Sequence, residues 1–150
     1  ARLLHDASQL RMIAACCRMY ADEHEGRLPE DWSLLSPYVA DSASLFATIA
    51  NKTSAGALSN VMQWTDYIYV RGHTTNSNPR AVLAYLPPGQ YQKHDKTAVV
   101  FVDGHYDIVD RMQFTRLMNS PQQWAGAYPP PAARLLQGKS RATGSGPAQP

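Results

Sequence analysis

His94, Asp103, His105 and Asp107 are the residues whose types and spacing could do chemistry. Two imidazoles and a carboxylate can hold Zn²⁺ or Ni²⁺, and an imidazole beside a carboxylate can move a proton. His105 and Asp107 stand two apart, so they share one face of a strand, and His94 enters the same hairpin. Each also has an ordinary structural role. Asp103 belongs to a turn, His105 sits on a half-exposed face, and His94 can cap a loop. That role outweighs the metal, so His94, His105 and Asp107 stand as metal candidates only, and no cofactor is expected. Asp103, Asp107 and Asp110 supply oxygens, but Ca²⁺ wants six or more from a loop that wraps the ion. A two-residue turn wraps nothing. The chain has no Gly-x-Ser-x-Gly, no phosphate-cradling glycine loop and no His-Glu-x-x-His, so it is not expected to be an enzyme.

The elements that must position these residues change period halfway along the chain. Leu3, Ala7, Leu10, Ala14, Cys17 and Ala21 recur at helical spacing, with Tyr20 and His24 extending the stripe and Asp6 off it. This predicts a helix over residues 1–25, stopped by Gly26 and Pro29. It starts with no capping signal, as if cut from something longer. A short helix is expected over 30–39, with Trp32, Leu35 and Tyr38 on one side. Leu45 and Phe46 are expected to be buried, and 51–60 reads as a loop.

From residue 66 the pattern is β. Tyr67–Val70, Ala81–Leu86, Ala98–Val102 and His105–Val109 are apolar runs divided by Gly and Pro signals. Asp103-Gly104 reads as a two-residue type I′ turn. It would set Phe101 opposite Tyr106 and Val99 opposite Ile108, an apolar face, with Val100, Val102, His105 and Asp107 on the other. Asp110 and Gln113 form a capping-box pattern that opens a short helix over 111–118 carrying Phe114, Leu117 and Met118. The expected fold class is α+β, a long N-terminal helix packed on a three- to four-stranded antiparallel sheet. Residues 1–118 make the domain: helix at 1–25, short helices and loops at 26–65, sheet at 66–110, short helix at 111–118.

Residues 119–150 read as a basic Pro/Gly/Ser-rich tail, disordered or extended. Of the chain's 11 prolines, six fall after residue 110, and so do five basic side chains with no acid. A formal charge of +2 over 150 residues argues against nucleic acid as a partner. The longest apolar run, Met12 to Cys17, is far too short to span a bilayer. Adjacent Cys16 and Cys17 are poorly placed to pair with each other and read as small buried hydrophobes.

Met19-Tyr20-Ala21-Asp22-Glu23-His24-Glu25-Gly26-Arg27-Leu28-Pro29 resembles the end of the first helix in type IV pilin-like and type II secretion pseudopilin-like proteins. Tyr67 and Tyr69, then His94 followed by Asp103-Gly104-His105, are similar to that family's C-terminal region. Eight residues separate His94 from Asp103, one fewer than the family's usual spacing. The apolar first half of the family's helix, with its acidic residue, is not in this chain. Residues 47–51 lack the Cys-Pro pair common in relatives.

The resemblance implies a subunit made with a leader, cleaved, held at the cytoplasmic membrane and polymerised into a pilus or pseudopilus. The expectation is therefore a non-enzymatic structural subunit in the cell envelope, periplasmic or extracellular, or in a surface filament. Its partners would be like subunits or other pilin-like proteins, and secreted cargo or an envelope component. Helix packing or assembly would run through Leu3, Ala7, Leu10, Ala14, Cys17 and Ala21, meeting a sheet within the subunit or helices of neighbours. The alternative is a stand-alone envelope module that binds polysaccharide or a protein through Trp64, Tyr67, Tyr69, Tyr85 and Tyr91.

Overall fold

The computed structural model describes residues 2–40, 42–48, 54–88 and 95–124. His94, Tyr91 and residues 125–150 lie outside the described residues. The first element, α1, spans Arg2–Asp22. Ala7, Leu10, Ala14, Cys17 and Ala21 are fully buried on its inner face, and Leu3 packs against them half-buried. Ile13, outside the expected stripe, joins them. Burial of Leu10 and Ile13 stabilises by about 1.5–3 kcal/mol each.

α1 ends three residues before the expected 25. Glu25 and Gly26 both take positive φ, 59° and 83°, and the Gly26 N–H donates back to the Ala21 carbonyl at 2.9 Å. Such a left-handed exit closes the helix end. Gly26 is needed twice over: a Cβ there would sit 2.7 Å from Thr75 Oγ1. His24 does not extend the buried stripe. It is exposed and stacked flat on Tyr20, with ring centroids 3.7 Å apart.

The second helical stretch is a 3₁₀ helix, Trp32–Tyr38, capped by the Asp31 side chain, which accepts from the Ser33 N–H at 2.8 Å. Pro37 inside it removes a backbone donor, which suits a short tight helix better than an extended α-helix. Trp32 packs between Phe46 and Tyr69, with centroids 5.3 and 4.9 Å away. Phe46 is buried as expected, while Leu45 is half-buried. A single α-helical turn, α2 at Val61–Trp64, leads into the sheet.

Four strands follow as an antiparallel meander in the order β1-β2-β3-β4. They are β1 Ile68–Tyr69, β2 Val82–Tyr85, β3 Lys96–Phe101 and β4 Tyr106–Asp110. The fold is thus α+β, an N-terminal helix on a four-stranded antiparallel sheet. A third layer covers the sheet's other face: α3, Arg111–Asn119, opened by the full Asp110/Gln113 capping box. Its Phe114, Leu117 and Met118 pack on Val82, Val99, Phe101 and Val109.

The β3–β4 register differs from expectation by one residue. Val100 faces Tyr106, Val99 faces Asp107 and Ala98 faces Ile108. The Phe101 N–H donates to the His105 carbonyl at 2.9 Å, and the Gly104 N–H donates to the Phe101 carbonyl at 2.8 Å. The loop therefore has three residues, Val102-Asp103-Gly104, and of these only Gly104 takes positive φ, at 96°. A type I′ turn would need positive φ at Asp103 as well; a turn closed by a left-handed glycine does not. Tyr106 and Ile108 consequently join Ala98, Val100 and Val102 on the α1 face, and Val99 and Phe101 turn towards α3.

The packed chain also runs past residue 118. A 3₁₀ turn, Pro121–Trp124, carries Gln123 into the interior, so the start of the expected tail belongs to the domain.

Candidate functional site

The hairpin cluster divides. His105 Nδ1 is in close contact with Asp103 Oδ1, and the same oxygen accepts from the His105 N–H at 3.1 Å. The imidazole stacks on the Phe101 ring, centroids 4.5 Å apart. Asp103 thus closes the turn and orients His105, which is the structural role read from its position. Asp107 is used separately: its Oδ1 accepts from the Ile108 N–H at 2.8 Å. Among the described residues, no group of three or more His, Cys, Asp or Glu could hold a metal ion.

The other motif residues are structural in their contacts. The Tyr69 hydroxyl donates to the Pro29 carbonyl at 2.5 Å, tying the strand to the loop after α1. Tyr67, 61 positions from Asp6, reaches α1: its hydroxyl donates to Gln9 Oε1 at 2.7 Å and lies 3.4 Å from Asp6 Oδ1. Asp6 is buried by that contact, contrary to its expected place off the stripe.

These contacts take Tyr67 and Tyr69 out of the expected aromatic platform. Tyr67 and Tyr69 are buried, Tyr85 meets Phe114 edge-on, and the Trp64 Nε1–H donates to the Ala57 carbonyl at 2.9 Å. Tyr91 lies outside the described residues.

The inner stripe of α1 is likewise consumed within the domain. Burial pushes the Cys17 thiol far above its ordinary value and raises Cys16 and the Tyr69 phenol as well. Tyr38, whose hydroxyl donates to the Glu23 carboxylate, is pushed up to about 12 by that hydrogen bond.

The surface left open is the opposite face of α1. Leu4, Met12 and Met19 are 54%, 58% and 48% exposed, and Ser8 and Ala15 fall between them at helical spacing. This second stripe was missed in the sequence because the inner stripe already accounted for a helix. Its signal was present as apolar residues at 4, 12, 15 and 19. Beside it lies a groove between α1 and the β3–β4 hairpin, walled by Arg11, Ala15, Arg18 and Met19 on one side and His105 and Tyr106 on the other. Arg18 crosses it, donating from Nη1 to the Val102 carbonyl at 3.3 Å.

No helix among the described residues is long and apolar enough to cross a membrane. In comparisons with protein families, curated proteins and solved structures, nothing matches this chain.

Proposed function

We propose that this chain is a non-enzymatic structural subunit of a pilus- or pseudopilus-like assembly in the cell envelope. The observation that carries the reading is the two-sided α1. One side is sealed on an antiparallel meander, and the other presents Leu4, Met12, Ala15 and Met19 to solvent. A row of exposed methionine and leucine side chains has no role in holding the domain together, and a neighbouring helix would bury it. The motif order from Met19 to Pro29 and from Tyr67 to His105 supports the same reading by resemblance.

The assembly face is then Leu4, Met12, Ala15 and Met19, in place of the inner stripe Leu3, Ala7, Leu10, Ala14, Cys17 and Ala21. Like subunits or other pilin-like proteins would be the partners. Electron microscopy of cells expressing the full-length gene tests this: filaments or pseudopilus-like rods are expected, and Met12→Asp should abolish them. Their absence in a strain that secretes the protein normally would remove the proposal.

A further inference from the structure

Gln123 sits where a side chain replaces a strand. β1 ends at Tyr69, and the last backbone bond from its continuation runs from the Val70 N–H to the Leu83 carbonyl at 2.8 Å. One residue on, β2 carries a register break between Val82 and Ala84. There the Val82 N–H donates to Gln123 Oε1 at 2.7 Å, and Gln123 Nε2 donates to the Val82 carbonyl at 2.7 Å. The primary amide imitates a peptide group and satisfies both backbone groups of a buried residue. Asn78 Nδ2 adds a bond to Gln122 Oε1 at 2.9 Å.

This pairing dictates the protonation of a buried histidine. Val82 has one donor and one acceptor, so the Gln123 amide cannot be flipped. Its second N–H therefore points to His73 Nε2, 3.3 Å away. Nε2 must accept, so the neutral ring carries its proton on Nδ1 and donates to Ser77 Oγ at 3.0 Å. Ser77 Oγ also accepts from the Thr74 N–H at 3.0 Å. Protonating Nε2 would set two donors against each other inside a site where His73 is 1% and Gln123 is 2% exposed.

We propose that Ser120–Trp124 is an acid-released strap, latched by the Gln123 amide that Val82 and neutral His73 share. This goes beyond the assembly reading and does not depend on it. Other groups bias the switch. His73 lines a cleft with Glu23, Glu25 and Glu30, which favour a charged imidazole, and with Arg27 and His24, which in its charged form would also oppose one. Arg71 lies two residues away on the same connection. Taking up the proton therefore means giving up the Gln123 bond, and the acids at the cleft then stabilise the opened form. Release uncovers the backbone of Val82 and detaches the chain that leads into residues 125–150.

Nuclear magnetic resonance on the whole chain tests this without any substitution. If the latched state refuses the proton, the opening equilibrium rises about tenfold between pH 7.5 and 5.5, for a histidine titrating near 6.5 once freed. The protection factor of the Gln123 side-chain amide should fall by that amount, in step with titration of the His73 ring. In Gln123→Glu, a carboxylate oxygen replaces the amide N–H₂ and can accept from imidazolium, so the dependence should weaken or reverse. A His73 ring that titrates while the Gln123 amide keeps its shift and protection overturns the proposal. So does a latch that is unchanged across the whole range.

Discussion

The two helices that flank the sheet are held by different balances of packing and capping. α1 has 21 residues, with no acid in its first turn and no base in its last. It persists because its inner face is buried on the sheet, which is how most helices in proteins are stabilised. α3 has nine residues and no fully buried side chain, yet it has a complete capping box and Arg116 in its last turn. α3 thus combines local capping with its packing on the sheet, whereas α1 rests on tertiary packing. One further contrast matters for function: α1 has an exposed apolar row left over, whereas on α3 Phe114, Leu117 and Met118 lie half-buried on the sheet and Met112 alone of its apolar side chains is exposed.

The largest effect expected from this contrast is at Leu10. Leu10→Ala should cost about 2–5 kcal/mol and lower the urea midpoint of the whole domain, whereas Phe114→Ala, on the half-buried side, should cost clearly less. Equal costs would break the distinction.

Next comes alkali. Cys17 is held neutral in the fold and its thiol is raised, so its contribution is fully present below the unfolded value near 8.5. Stability should therefore fall as pH rises beyond that, by about 1 kcal/mol per pH unit. Thermal melts at pH 8 to 10 should show this, with a shallower decline in Cys17→Ala. In the folded protein at pH 8, iodoacetamide should leave Cys17 unmodified.

Removing the α3 cap is a smaller perturbation. Asp110→Ala should cost about 1 kcal/mol, and hydrogen exchange should rise in α3 while α1 keeps its protection. Smallest of all, Met12→Ala should change stability by no more than about 0.5 kcal/mol, because that side chain is mostly exposed.

The same contrast explains what could be read from the sequence. The inner stripe of α1, the Asp110/Gln113 box and the order of the strands are local patterns, and each was legible. The β3–β4 register was not. Residues Thr97 to Phe101 are buried on both faces, so both settings of the hairpin bury apolar side chains, and alternation cannot choose between them. The choice lies in Asp103, whose side chain binds the His105 N–H in a three-residue loop. Asp6 looked like a solvated residue because its partner, Tyr67, is supplied by a distant strand. Gln123 looked like part of a tail because its principal partner is the backbone of Val82, which leaves no mark in a residue pattern. For the proposed assembly face, the sequence pointed to α1 but to its inner stripe, which the fold buries against the sheet.

The outer face of α1 is the central claim, and site-specific photo-crosslinking in intact cells tests it most directly. A photoreactive residue placed at Met12 in the full-length protein should yield a ladder of covalently linked subunits or pilin-like partners, while the same residue at exposed Thr115 of α3 should not. A monomer at Met12, or equal ladders from both positions, would contradict the account.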